Sequence, residues 1–161
     1  MKILIVGIVA SGKTTLAKRL SKEENIRHHE IDSIVHDDLN NRKRSREEQL
    51  NIINDINKNN DWIIEGTLRK NLDILLEFAD KIIFIDIDKK IRKRRIISRY
   101  IKQKLRIEKC NYKPSLEMVK DMFKWTNDFE KDKDNFLKRI YKYEDKLIVL
   151  SSVNEINKYK L

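Results

Sequence analysis

The sequence predicts an α/β fold in three α/β/α layers, a parallel sheet covered by helices on both faces. Three observations predict it. Short apolar runs recur at residues 2–6, 61–66, 81–88 and 146–150, and they are continuous instead of alternating, as in strands buried on both faces. Segments with helical spacing lie between them, which is the pattern of parallel strands joined by crossover helices. A glycine loop joins the first run to the first helix.

Taken in order, "KILIV" (2–6) is the first strand. "KTTLAKRLSKEE" follows the loop with Leu16, Ala17 and Leu20 on one helical face. "IRHHEID" (26–32) is a weaker strand ending in a carboxylate. Residues 46–59 place Leu50, Ile53 and Ile56 on one helical face. "DWIIEG" (61–66) is a short strand closed by Glu-Gly, and "LRKNLDILLEFAD" (68–80) reads as helix. "KIIFIDID" (81–88) is the clearest strand, and a basic helix runs from it to Leu105. After Pro114, Leu116, Val119, Met122, Phe123, Thr126 and Phe129 recur at helical steps. "KLIVL" (146–150) is the last strand, and "SVNE" (152–155) has the form of a capping box opening a last helix. Nothing between these elements resembles a linker, so residues 1–161 read as one domain.

The loop "GIVASGKT", Gly7 to Thr14, fits G-x-x-x-x-G-K-[ST] at every fixed position. Gly7 and Gly12 allow the tight turn that brings the amides of Ala10, Ser11 and Gly12 against phosphate oxygens. The helix beginning near Lys13 presents its positive end to the same place. Lys13 reaches β- and γ-phosphates, Thr14 offers a hydroxyl to Mg²⁺, and Thr15 can bond the α-phosphate. The plain alternative is a tight strand-to-helix turn with an ordinary lysine.

In such a sheet, ligands bind at the carboxyl ends of the strands. Asp32, Glu65-Gly66, Asp86 and Asp88 all stand there. Asp32 has two readings, a general base for an acceptor hydroxyl or a helix N-cap. Glu65 reads as a group that holds a metal-bound water or touches the acceptor, or else as a strand-end carboxylate. Asp88 reads as the N-cap of the basic helix, and Asp86 as the end of the strand. His28 and His29 are adjacent and so point to opposite faces of a strand, and the one cysteine, Cys110, is distant. No zinc site is expected from them.

In the basic helix, Arg95 and Arg99 are four residues apart and share a face. Two guanidiniums there can clamp a γ-phosphate and offset charge that develops in transfer. The alternatives are a solvated face or a nucleic-acid footprint. Residues 102–114 hold the only proline and few large apolar side chains, and read as a lid or as a surface loop.

With these residues in place the chain resembles small P-loop kinases of the adenylate-kinase-like group, and more narrowly the DNA topology modulation protein (adenylate-kinase-related) family. "GIVASGKTT", "HHEIDSI", "DWIIEGTLRKNLD", "ADKIIFIDI", "RIISR" and "MFKWTNDF" carry the resemblance. It implies the P-loop NTPase fold with a five-stranded parallel sheet of order 2-3-1-4-5 and a helical lid about 95–114. It implies ATP with Mg²⁺ as phosphoryl donor, Lys13 as the phosphate clamp, Thr14 on the metal side and Asp32 at the acceptor pocket. Glu65-Gly66 with Arg69 is similar to the Asp-Gly-x-x-Arg turn of adenylate kinases, whose arginine holds an acceptor phosphate. In the topology-modulation family that arginine lies one place later, where this chain has Lys70, so either Arg69 or Lys70 serves. Arg95 and Arg99 match the arginine pair at the start of the lid.

Composition bounds the partners. The net charge of +10 suits an anionic partner, either nucleotide phosphates or nucleic acid. No nucleic-acid-reading motif interleaved with aromatics is present, so nucleic acid is the less favoured of the two. One cysteine allows no internal disulfide, which fits a reducing cytoplasm. The opening apolar run is too short for a signal peptide, and no membrane segment is expected. The expected protein is therefore a cytoplasmic ATP-dependent phosphotransferase, monomeric or a weak homodimer. Its acceptor is a nucleotide, a nucleoside or a small alcohol. The alternative is a nucleotide-binding protein acting on DNA.

Overall fold

The computed structural model describes residues 1–37, 39–107 and 114–161. The elements in chain order are β1 (Lys2–Gly7), α1 (Lys13–Glu24), β2 (His28–Glu30), α2 (Ile31–Val35), β3 (His36–Asp37), β4 (Arg42–Lys43), α3 (Arg46–Asn57), β5 (Trp62–Gly66), α4 (Ile74–Phe78), β6 (Lys81–Ile85), α5 (Lys89–Lys104), α6 (Leu116–Ile140), β7 (Leu147–Leu150) and α7 (Val153–Lys158). Five of the strands form one parallel sheet in the order β2-β5-β1-β6-β7. Setting aside β3 and β4, a small antiparallel hairpin, this is the order 2-3-1-4-5.

The continuous apolar runs follow from this arrangement. Successive strand side chains point to opposite faces, and here both faces are covered. Leu4, Val6, Ile64, Ile82 and Phe84 face one way, into a core shared with Ile31, Ile53, Leu75, Phe136 and Ile140. Ile3, Ile5, Ile63, Ile83 and Ile85 face the other way, against Leu16 and Leu20 of α1 and Ile156 of α7. Each such buried aliphatic or aromatic side chain stabilises the fold by about 1.5–3 kcal/mol relative to exposure. Phe84 and Phe136 meet at 5.2 Å, joining the long helix α6 to the sheet.

Several boundaries differ from the sequence reading. Only His28–Glu30 of the run 26–32 is strand, and the chain then turns directly into α2. Asp32 therefore lies in the first turn of that helix, whose N-cap is Glu30. Residues 68–80 form no continuous helix. A 3-10 turn (Lys70–Leu72) precedes α4, because Arg69 is extended and Asp73 is anchored sideways to Arg139 of α6. A full capping box opens α3: the Ser45 hydroxyl accepts from the Glu48 amide and the Glu48 carboxylate accepts from the Ser45 amide. At α7 the expected box is half formed. Ser152 accepts from the Glu155 amide, but the Glu155 carboxylate accepts from Ser151 instead. Asp88 does cap α5, accepting from the Lys90 amide.

Residues 95–104 of the expected lid are the continuous second half of α5. Residues 105–107 then form a turn, and 108–113, with Cys110, lie outside the described residues. No helix among the described residues is long and apolar enough to cross a membrane.

Candidate functional site

Parallel pairing places the carboxyl ends of β1, β5 and β6 side by side, with Ile5 opposite Glu65, Val6 opposite Gly66 and Gly7 opposite Ile85. The loop from Gly7 to Thr14 crosses this edge and enters α1. Gly12, at the N-cap of α1, has φ 110°, a conformation that favours glycine. Ala10 occupies the left-handed region as well, at φ 60°. At the neighbouring strand end Gly66 answers a different need. A Cβ on it would stand 2.6 Å from Cβ of Ile31, so only glycine lets α2 pack there.

Lys13 is 9% exposed. Its ammonium donates to the carbonyl of Ile8 at 2.9 Å, its one hydrogen-bond partner among the described residues. Burial pushes its pKa below the usual 10.5, opposed by the negative charges of Glu65 and Asp32 and assisted by Arg99 and Arg92. Thr14 donates its hydroxyl to Glu65 Oε1 at 2.6 Å. Glu65 is almost fully buried. Burial pushes its carboxyl upward, but His28, Thr14 and Lys13 together outweigh this and hold it below the usual range. The site thus keeps an anionic carboxylate directly behind the Thr14 hydroxyl.

Arg95 reaches across from α5 and donates to the carbonyls of Ala10, at 3.2 Å, and Ser11, at 2.8 Å. Its guanidinium lies over Gly12, 3.2 Å from where a Cβ would stand. Arg95 and Arg99 line a cleft of about 290 Å³ together with Ala10, Gly12, Thr15 and Lys102. Burial and the neighbouring Arg99 charge both lower the Arg95 pKa. On the other side of the loop, Arg69 Nη2 lies 3.2 Å from Asp32 Oδ1, an ion pair in which Asp32 is 75% exposed. Lys70 is exposed. The structure therefore brings Lys13, Thr14, Glu65, Arg95 and Arg99 around one loop, and pairs Asp32 with Arg69 beside it.

The residues fit a Mg²⁺-nucleotide. The buried Lys13 ammonium has spent one hydrogen bond on a carbonyl and suits an anion at the loop mouth. Thr14 and Glu65 supply the hard oxygens that Mg²⁺ prefers, directly or through water.

Three features were not legible from sequence. Arg92, on the same basic helix as Arg95 and Arg99, is buried. It donates to Ile87 O at 3.1 Å, pairs with Glu130 of α6 and lies over the Phe129 ring. Asp86 is likewise engaged by Lys133 at 2.7 Å. His28, on the edge strand, stands 3.9 Å from Glu65, a proximity made by the pairing of β2 with β5. Its only trace in the sequence is that His28 and Glu30 sit two apart and so share a strand face.

A family profile described as AAA domain (AAA_18) matches residues 3–114. No curated protein matches the sequence. Among solved structures, shikimate kinase from Bacteroides thetaiotaomicron is similar over 96% of this chain and 91% of that one, at 16% identity and a TM-score of 0.56. Shikimate kinase from Aquifex aeolicus is similar over 94% of this chain and 85% of that one, at 17% identity and a TM-score of 0.47. The likeness to the Bacteroides enzyme is one of fold. The match over residues 3–114, carrying the loop, the sheet edge and the arginines of α5, makes this chain a member of the AAA domain family AAA_18.

Proposed function

We propose that the protein is a phosphotransferase that moves the γ-phosphate of Mg-ATP to a small acceptor, a nucleotide, a nucleoside or a small alcohol. One observation carries this reading. The buried Lys13 ammonium lies at a loop whose next residue, Thr14, is held by the buried Glu65 carboxylate. Phosphoryl transfer asks a protein mainly for position and charge. Lys13 and the amides of Ala10, Ser11 and Gly12 bind the phosphates. Thr15 and the cleft beside it take the rest of the nucleotide. Arg95 fastens the loop through two carbonyls and, with Arg99, lines its outer side with positive charge. Mg²⁺, held through Thr14 with Glu65 orienting the hydroxyl, supplies charge neutralisation when bound. Asp32 accepts the acceptor's proton. Arg69 frees itself from Asp32 to hold an acceptor anion, which favours Arg69 over Lys70, since a guanidinium forks onto phosphate and an ammonium does not.

The narrower kinship with DNA topology modulation proteins remains part of this proposal, and nucleic acid is the second reading. The lack of any carboxylate along α5 favours it. Against it, Arg92 is buried and Arg95 is engaged by the loop, so neither is free to meet a phosphate backbone.

The test is a transfer screen. Labelled ATP and Mg²⁺ are offered with nucleoside monophosphates, nucleosides and small alcohols, with Lys13→Ala as the blank. A labelled product absent from the blank is the expected result. ATP binding without product across the panel, alongside DNA binding that weakens steeply with salt, would favour the second reading.

A further inference from the structure

We propose that His28, Glu30 and Glu65 form a binding site for a borderline divalent transition ion of the Zn²⁺ or Co²⁺ type, which shares Glu65 with the hard-oxygen Mg²⁺ position at Thr14 but draws its other ligands from β2. The argument begins with the strand register. His28 and Glu30 are two apart on β2, and Glu30 lies directly opposite Glu65 on β5. The three side chains therefore stand on one face of the sheet. Two carboxylates directly opposite on one sheet face repel each other, and a cation between them removes that repulsion. Both donors on β2 are unspent. The Glu30 carboxylate makes no hydrogen bond among the described residues and does not cap α2, although Glu30 is its N-cap. The His28 Nε2 atom is fully buried and has no hydrogen-bond partner among the described residues. It faces Glu65 Oε1 at 3.9 Å, too far for a hydrogen bond. A buried imidazole nitrogen with no partner calls for an explanation.

A metal ion supplies one. One ligand atom from each of the three residues lies within 4.8 Å of the other two. Two ligands about 2.05 Å from a tetrahedral ion stand about 3.4 Å apart. The 3.9 Å separation therefore closes by about half an ångström, within side-chain reach. The donor set of one imidazole nitrogen and two carboxylate oxygens suits Zn²⁺, Fe²⁺ or Co²⁺ better than Mg²⁺, which prefers all-oxygen ligands. Three protein ligands leave a position open for water or a ligand oxygen. Glu65 also accepts from Thr14, so an ion here sits one carboxylate away from the phosphate loop.

The proposal does not rest on the phosphotransfer reading, because it is tested without nucleotide. The untagged full-length chain is stripped with chelator and titrated with Co²⁺, followed by visible absorption, and with Zn²⁺, followed by calorimetry. The expected result is a single high-affinity ion whose affinity falls about tenfold or more in both His28→Ala and Glu30→Gln, and which excess Mg²⁺ does not displace. Far-UV circular dichroism checks that the variants fold. Should either variant fail to fold, the ¹⁵N resonances of His28 in the wild type decide the matter: they shift on Zn²⁺ addition if His28 is a ligand. Absence of binding, equal binding by both folded variants, displacement by Mg²⁺, or unmoved His28 resonances would each overturn the site.

Discussion

Replacing Lys13 with Met separates the two things its ammonium does. In the apo protein the charge is buried with one carbonyl partner. The hydrogen bond stabilises by about 1.5–3 kcal/mol, as bonds to charged groups do. Burying the ion costs several kcal/mol. The lowered pKa of Lys13 says which wins, since desolvation is its largest cause. Lys13→Met keeps the bulk and removes the charge, so the apo variant melts no lower than the wild type. The pH dependence has a definite sign. The folded pKa lies below 10.5, so the cost of the buried charge is complete below the folded value and disappears as pH rises towards 10.5. The wild type therefore gains stability from this group with rising pH, and the variant does not. Nucleotide has the opposite effect on the pair. Saturation at 100 times Kd stabilises a binder by about 2.7 kcal/mol. For 161 residues the unfolding entropy near the midpoint is about 0.34 kcal/mol/K, so the wild-type melt should rise by about 8 °C. In Lys13→Met it should not move. Differential scanning fluorimetry with and without Mg-ATP reads both quantities. A retained nucleotide shift would refute the phosphate-loop role of Lys13, and a much lower apo melting point would show that the ammonium is a structural strut.

Three further outcomes follow from contacts elsewhere in the fold. Glu130→Ala leaves the buried Arg92 guanidinium without its carboxylate and should cost about 3 kcal/mol in urea unfolding, while Arg92→Met with Glu130→Met should recover most of it. Gly66→Ala drives a methyl to 2.6 Å from the Ile31 Cβ and should cost about 1–3 kcal/mol; an unchanged midpoint would mean that α2 shifts freely. The Glu48 carboxyl is held at about 2, chiefly by Arg42 and then by the Ser45 amide. Its stabilisation is present above the unfolded value of 4.5 and is lost as pH falls from there to about 2, so acid titration of the Glu48→Gln variant should show a flatter stability profile across that window.

The chain itself determined the sheet and the loop. Continuous apolar runs at residues 2–6, 61–66, 81–88 and 146–150 became strands because burial on both faces demands apolar side chains on both faces. The glycine loop was legible because its pattern is local: two glycines, a lysine and a threonine stand at fixed positions within eight consecutive residues. The Asp88 cap was local too. What tertiary structure decided is where distant groups meet. Residues 68–80 have helical spacing, but the anchoring of Asp73 to Arg139 breaks them into a 3-10 turn and a short helix. The basic helix reads as one class of charge in sequence, yet packing splits it: Arg92 goes to the core and Arg95 to the loop carbonyls. Asp32 finds Arg69 across a 37-residue separation, and Thr14 finds Glu65 across 51. Those pairings depend on strand order and register, quantities that no local spacing contains. The same register sets His28 and Glu30 against Glu65, turning two unremarkable strand residues into a candidate metal centre.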